Sequence, residues 1–122
     1  MSLKILAIDD SRTIREMLRK ALGSAGFEVH LADDGQAGIE ALENILPDVV
    51  ITDINMPRLD GFGVLNAIRT HVNFKSLPVL ILTTESAQDL KNMARQAGAT
   101  GWIVKPFDDG KLVSAIRRIA AV

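Results

Sequence analysis

The sequence contains no cysteine and no tyrosine, and aromatic residues make up only 4% of its 122 positions. Without cysteine there can be no disulfide bond and no thiolate metal site. The formal charge of −1 predicts no overall basic surface for nucleic acid. No apolar run reaches the roughly 18 residues that span a bilayer, and the N-terminus lacks the pattern of a signal peptide. We therefore expect a cytoplasmic protein without a nucleic-acid or membrane partner.

The length and the balance of residue types indicate one globular domain. The 122 residues match the usual domain size of about 100–150 residues, and 48% of them are hydrophobic. We therefore predict a single domain over residues 1–122. The charge is unevenly divided, since residues 1–61 carry six basic and eleven acidic side chains and residues 62–122 carry eight and four. This division either arises by chance or predicts an acidic pocket and a basic docking face on opposite sides.

Short apolar runs alternate with segments in which apolar residues recur every three or four positions. The runs cover residues 3–8, 27–32, 49–52, 79–82 and 102–104. They are typical of buried parallel strands, except that 27–32 alternates as an edge strand does. The other segments predict five helices, of which the third continues to Val72 and the fourth begins with a capping box at Ser86 and Asp89. This order predicts an α/β fold with a doubly wound, five-stranded parallel sheet in strand order 2-1-3-4-5, flanked by five helices.

Reactive side chains follow the strands at one edge of the predicted sheet. Asp9 and Asp10 follow the first strand, Asp53 the third, Thr83 the fourth and Lys105 the fifth. Carboxylates this close repel one another and need a cation, and oxygen ligands without cysteine or histidine favour Mg²⁺ or Mn²⁺. Such an ion keeps positions open for phosphate oxygens, which favours phosphoryl chemistry. Each residue alone has a plainer explanation as a helix cap, a strand residue or a solvated side chain, so the hypothesis depends on their shared position.

The pattern resembles the receiver domain of two-component response regulators. The matching residues are, in chain order, Asp9-Asp10-Ser11, Asp53-Ile54-Asn55-Met56-Pro57, Asp60-Gly61, Thr83 and Lys105-Pro106. Residues 82–86 and 100–107 look most like the stand-alone chemotaxis regulators called CheY. The lack of a further segment after the last helix fits a regulator without an output domain. The resemblance implies the flavodoxin-like, CheY-like form of the predicted fold.

The resemblance also implies a site and its chemistry. Asp53 would accept a phosphoryl group from a CheA-like histidine kinase. Asp10, Asp53 and the main-chain carbonyl of Asn55 would bind Mg²⁺, or Mn²⁺ in its place, while Asp9 would act largely through water. Lys105 would pair with the carboxylate and then with the phosphoryl oxygens, and the peptide bond after it would be cis.

A conformational switch is implied as well. Thr83 would hydrogen-bond the phosphoryl group, and its movement would let the ring of Trp102 turn inward. Asn55 and Glu85, two positions after Asp53 and Thr83, would tune the lifetime of the phosphoryl group. A turn-forming asparagine and a solvated glutamate explain that pair almost equally well, and a plain packing role stays open for Trp102.

Downstream of the switch, the resemblance implies binding of a FliM-like flagellar motor switch protein or of another protein. The docking face would be formed by the fourth helix, the fifth strand and the fifth helix. The chain would act as a monomer, and it would not be an enzyme beyond its own phosphorylation and dephosphorylation. The basic residues of the two helices are Lys91, Arg95, Lys111, Arg117 and Arg118.

Two other functions stay open. Haloacid-dehalogenase-like phosphatases also use an aspartate nucleophile and Mg²⁺, but they need a second aspartate two residues later as general acid, and this sequence has Asn55 there. It also has no Gly-x-Ser-x-Gly elbow and no glycine-rich phosphate loop. The second alternative is a receiver that works as a phosphorelay intermediate or phosphate sink without a motor partner. The sequence hardly separates that role from a motor-binding switch.

Overall fold

The computed structural model describes residues 2–120, so both ends of the predicted domain 1–122 lie outside the described residues. The strands are β1 (Lys4–Ile8), β2 (Glu28–Ala32), β3 (Val49–Thr52), β4 (Val79–Thr83) and β5 (Gly101–Val104). The helices are α1 (Arg12–Ser24), α2 (Gly35–Ile45), α3 (Gly61–Thr70), α4 (Gln88–Gln96) and α5 (Asp109–Ala120). All strands pair in parallel in the order β2-β1-β3-β4-β5, which confirms the predicted fold class and strand order.

Alternate residues of each central strand face two separate apolar layers. On one side, α2, α3 and α4 cover strand residues such as Leu6 and Ile81. On the other side, α1 and α5 cover residues such as Ala7 and Ile51. Because both faces are covered, β3 and β4 are buried along their whole length, which explains why their sequences are continuous apolar runs. No helix within residues 2–120 combines the length and the apolarity that crossing a membrane requires.

The strand register brings the predicted site residues to one edge of the sheet. The last residues of β1 and β3 pair with each other, so Asp9 and Asp53, which follow them, lie side by side. The last residues of β4 and β5 pair in the same way, and the N–H of Lys105 donates to the carbonyl of Thr83 at 2.7 Å. The chain order reverses between β1 and β3, and the crevice at such a point is where open α/β sheets bind ligands.

The end of the third helix differs from the prediction. α3 ends at Thr70, and Val72 is 78% exposed instead of facing the core. The chain becomes extended at His71, and the turn that follows buries Phe74 and Leu77. These two side chains, and not Val72, join the apolar layer in which Leu65 and Ile68 of α3 are buried.

The capping box predicted at the start of the fourth helix is wrong. Ala87 occupies the N-cap position of α4, and no side chain accepts a hydrogen bond from the first turn. Ser86 therefore lies one residue too early to cap the helix. Asp89 does lie in the first turn, where its negative charge interacts favourably with the helix dipole.

Candidate functional site

Asp53 lies directly after β3 and is only 8% exposed. Its main-chain N–H donates to the carbonyl of Ile8 on β1 at 3.1 Å. Its carboxylate accepts two short hydrogen bonds, at Oδ1 from the N–H of Ile54 at 2.6 Å and at Oδ2 from Lys105 Nζ at 2.8 Å. Gly61, at the start of α3, approaches the main chain of Asp53 so closely that a Cβ there would overlap the Asp53 carbonyl. The sheet and α3 together therefore fix the position of this carboxylate.

Lys105 joins two carboxylates. Its Nζ lies 2.6 Å from Asp9 Oδ2 and 2.8 Å from Asp53 Oδ2, and its side chain is 8% exposed. Burial lowers the pKa of this ammonium, but the hydrogen bonds and negative charges of Asp53 and Asp9 outweigh burial and raise the pKa above its ordinary value. The peptide bond between Lys105 and Pro106 is cis, as the resemblance implied. The side chain of Lys105 is therefore positively charged at neutral pH.

The loop after β1 holds its two carboxylates in different environments. Asp9 is 1% exposed, and its Oδ1 accepts from the N–H of Ser11 at 2.9 Å. Asp10 is exposed. The N-cap of α1 is Ser11, whose side chain accepts from the N–H of Ile14 at 3.3 Å. The plainer explanation of the two acids as helix caps is therefore wrong.

The acidic cluster has the spacing of a cation site. Asp9, Asp10 and Asp53 can each present one oxygen so that all three oxygens lie within 4.8 Å of one another. Three negative charges exceed the one that Lys105 supplies, so a bound cation would relieve their repulsion. Carboxylate oxygens are hard ligands of the kind that Mg²⁺ prefers. These residues therefore fit a magnesium ion, with Asp10 on the side open to solvent.

The two residues predicted to tune the phosphoryl lifetime lie in contact. Asn55 Nδ2, in the loop after β3, donates to Glu85 Oε1, in the loop after β4, at 3.2 Å. Asn55 is exposed and Glu85 is half-buried. The sequence prediction named both positions but not this contact, which ties together the two loops beside Asp53.

Glu85 also links Thr83 to Trp102 through its main chain. Its N–H donates to Thr83 Oγ1 at 3.4 Å. Because the hydroxyl of Thr83 is the acceptor in this contact, its own proton remains available for donation. Its carbonyl accepts the indole N–H of Trp102 at 3.1 Å. The indole is half-buried and packs against the apolar layer under α2, α3 and α4. Any inward turn of Trp102 therefore starts from a ring that already has a hydrogen-bond partner.

Four of the five predicted docking residues lie along β5. Lys91 and Arg95 of α4 line a cleft together with Trp102. Lys111 and Arg118 of α5 line a groove on the other side of the strand. We call the surface made by these four basic residues and Trp102 the β5 face.

Arg117 does not belong to the β5 face, so its assignment there is corrected. Its guanidinium donates to the carbonyl of Ala25 at 3.2 Å and lies 5.6 Å from the ring centre of Phe27. Successive residues of a helix point about 100° apart, and this rotation turns Arg117 towards the end of α1 while Arg118 stays beside β5.

Replacing Lys105 with methionine is expected to lower the free energy of unfolding by about 3–5 kcal/mol at neutral pH, because two buried carboxylates lose their cation. The pKa of Lys105 is raised in the folded state. Its contribution should therefore be complete below the ordinary lysine pKa of about 10.4 and disappear as the pH rises through the folded value. Urea unfolding from neutral to strongly alkaline pH measures this. Lys111→Met, at an exposed lysine, is the control, and a pH-independent Lys105→Met effect would contradict the prediction.

Comparisons with known proteins agree with this geometry. A family model described as the response regulator receiver domain matches residues 5–117. Response regulator MprA of Mycobacterium sp. (strain KMS) is 36% identical over 119 residues, which are 98% of this chain and 51% of that protein. The chain therefore spans about half the length of the curated relatives it matches.

Solved structures share the fold along nearly the whole chain. Chemotaxis protein CheY4 of Vibrio cholerae has a TM-score of 0.93 and 39% identity, covering 98% of this chain and 99% of that one. The receiver domain of a sensor histidine kinase from Pseudomonas aeruginosa PAO1, with a magnesium ion coordinated in its active-site cleft, has a TM-score of 0.91 and 26% identity over 100% of both chains. Because the family match covers all but the ends of the chain, this protein belongs to the response regulator receiver domains of two-component systems.

Proposed function

We propose that this receiver is a switch that accepts a phosphoryl group on Asp53 from a histidine kinase and then changes its partner binding. The observation that carries the proposal is the 2.8 Å contact of Lys105 with Asp53, beside the cluster completed by Asp9 and Asp10. A carboxylate held next to an ammonium and a cation site is suited to attack phosphorus, because the charge of the incoming group is offset.

In the proposed transfer, a carboxylate oxygen of Asp53 attacks the phosphorus of a phosphohistidine in line with the leaving nitrogen. The O–P bond forms while the P–N bond breaks, and the nitrogen keeps the bonding electron pair. Lys105 then holds the phosphoryl oxygens, and the free hydroxyl proton of Thr83 donates to one of them. Asp9, Asp10 and Asp53 would hold Mg²⁺ beside this site, and the ion would supply further neutralisation of the phosphoryl charge.

We propose that Asn55 and Glu85 together control the lifetime of the phosphoryl group. Their 3.2 Å hydrogen bond holds both side chains in the two loops next to Asp53. In that position they limit the approach of the water molecule that would hydrolyse the phosphoryl group.

Phosphoryl uptake from a purified, phosphorylated histidine kinase tests the proposal. We expect at most one phosphoryl group per chain and no sustained hydrolysis of a small phosphate ester. Many turnovers of the ester would favour a Mg²⁺-dependent aspartyl-phosphate phosphatase instead. Asn55 argues against that activity, because it occupies the position of the general acid and cannot donate a proton as an acid does.

For the output of the switch, we propose CheY-like control of chemotaxis through a FliM-like motor switch protein. The 39% identity with CheY4 supports this, as does the β5 face, where basic side chains flank a half-buried tryptophan. Such a surface suits an acidic, amphipathic peptide. A phosphorelay intermediate or phosphate sink would need no such peptide.

An acidic amphipathic peptide is expected to bind the β5 face more tightly after phosphorylation, and added salt should weaken the binding. Chemical-shift changes should cluster on α4, β5 and α5. Lys91→Glu should reduce the affinity, whereas Lys20→Glu on α1 should not. Shift changes confined to α1 and α2 would contradict this docking site, and no peptide binding at all would favour the sink.

Beryllofluoride with Mg²⁺, a mimic of an aspartyl phosphate, is expected to change the emission and acrylamide quenching of Trp102, the only tryptophan. If Thr83 moves towards Asp53, the hydrogen bonds that join Thr83, Glu85 and Trp102 must rearrange. Thr83→Ala should still bind the mimic but give a weaker response, and the exposed neighbour Thr84→Ala should respond as wild type does. A full response in Thr83→Ala, or none in wild type at saturation, would leave Trp102 with a packing role.

A further inference from the structure

Arg15, in the second turn of α1, reaches back to the loop that carries Asp9 and Asp10. Its guanidinium Nη1 donates to the main-chain carbonyl of Asp9 at 2.8 Å, and the residue is half-buried. A cation near the N-terminus of a helix is normally unfavourable, because that end of the helix dipole is positive. The negative charges of the acidic cluster in front of α1 offset this cost. The favourable position of Arg15 therefore depends on that cluster.

The carboxylate of Asp10 is held by fewer contacts than those of Asp9 and Asp53. The carboxylates of Asp9 and Asp53 are each held by Lys105 and by a main-chain N–H. The structure of residues 2–120 gives the exposed carboxylate of Asp10 no hydrogen bond or ion pair, and repulsion from Asp9 and Asp53 opposes its orientation towards them. Its direction therefore depends on the peptide plane that joins it to Asp9.

We propose that Arg15 is a positioning residue that holds the Asp9–Asp10 peptide and so keeps the Asp10 carboxylate aimed at the metal position. The Asp9 carbonyl and the Asp10 N–H lie in one rigid plane. The N–H of Asp9 is itself held by the carbonyl of Ala32 at 3.1 Å. With the main chain held on both sides of Asp9, the plane cannot turn to relieve the repulsion. This inference rests on the proposed function, because it requires Asp10 to bind Mg²⁺.

The charge of Arg15 and its positioning role predict opposite changes in Mg²⁺ affinity when Arg15 is removed. As a positive charge beside a cation site, Arg15 would weaken Mg²⁺ binding, so its removal would strengthen binding. As a positioning group, its removal weakens binding, and groups that orient a ligand typically change metal affinity by about 10- to 100-fold. The loss should be larger for Mg²⁺, which demands near-octahedral geometry, than for Ca²⁺, whose coordination is flexible.

Isothermal titration calorimetry with Mg²⁺ and with Ca²⁺, at constant ionic strength, tests the proposal. We expect Arg15→Met to raise the Kd for Mg²⁺ about tenfold and the Kd for Ca²⁺ by clearly less. Arg15→Lys keeps the charge and one donor, so it should lie between wild type and Arg15→Met. Arg19→Met is the control, because Arg19 lies exposed on the same helix and pairs with Glu16 at 3.2 Å; it should bind as wild type does.

Several outcomes would overturn the proposal. One is an Arg15→Met variant that melts at a lower temperature without metal yet keeps the wild-type Kd for Mg²⁺, since that describes a purely structural role. Tighter binding of both ions would show that Arg15 acts through its charge alone. If Arg15→Met does not fold, an unchanged ratio of the two Kd values in Arg15→Lys would decide against positioning. A wild type that binds no Mg²⁺ would instead refute the metal site of the proposed function, and this inference with it.

Discussion

Asp53→Asn is expected to abolish phosphoryl uptake and leave the fold in place. Asparagine has nearly the same shape, so its Oδ1 can still accept from the N–H of Ile54, and Lys105 keeps its 2.6 Å ion pair with Asp9. The neutral amide, however, is no nucleophile towards phosphorus. After incubation with a small phosphodonor and Mg²⁺, the intact mass of wild type should rise by one phosphoryl group and that of Asp53→Asn should not change. Circular dichroism and thermal unfolding check that the variant is folded.

Asp33→Asn is the matched control for this experiment. Asp33 is an exposed acid directly after β2, at the same edge of the sheet but outside the acidic cluster. It should take up a phosphoryl group as wild type does. Uptake by Asp53→Asn at undiminished yield would place the acceptor elsewhere, with Asp10, the exposed member of the cluster, as the first residue to examine.

Asp10→Ala is expected to weaken Mg²⁺ binding severely. Since losing a group that merely orients a ligand costs about 10- to 100-fold in affinity, losing a ligand should cost at least as much. Without metal, the variant should be as stable as wild type or more stable, because the repulsion among Asp9, Asp10 and Asp53 decreases. Calorimetric titration with Mg²⁺ and urea unfolding without metal measure the two effects.

Asp33→Ala removes the same charge outside the cluster, so it separates a lost ligand from a lower overall negative charge. It should bind Mg²⁺ nearly as wild type does. Equal Mg²⁺ affinity in wild type and Asp10→Ala would remove Asp10 from the ligands. A large loss of stability without metal would contradict the repulsion that the cluster geometry implies.

The arrangement of strands could be predicted because burial on both faces of a sheet is visible in the sequence. β3 and β4 lie between two helical layers, so nearly every position in them must be apolar. Given the strand order, the placement of Asp9, Asp53 and Lys105 at one edge of the sheet can be predicted from the sequence. Helix ends are harder to predict, because side chains from outside a helix compete for the same core. Val72 fits the helical repeat, yet it is exposed, and Phe74 from the following turn is buried in the core.

Contacts between distant loops leave little trace in the sequence. The hydrogen bonds of Glu85 with Asn55 and with Trp102 depend on the course of two loops, and no residue pattern encodes that course. The placement of Arg117 on the docking face is wrong, because a count of basic residues ignores the direction in which each side chain points. The role of Arg15 had one usable signal in the sequence, a cation close to the start of a helix that follows two acids.

Peptide mapping of the wild-type chain tests Asp53 as the phosphoacceptor most directly. The chain is incubated with a phosphodonor and Mg²⁺, reduced with borohydride, which converts an aspartyl phosphate to homoserine, and then digested and sequenced by mass spectrometry. We predict one modified residue per chain, at position 53. Modification at any other residue, or an unmodified chain at saturating donor and Mg²⁺, would contradict the switch proposed for this receiver.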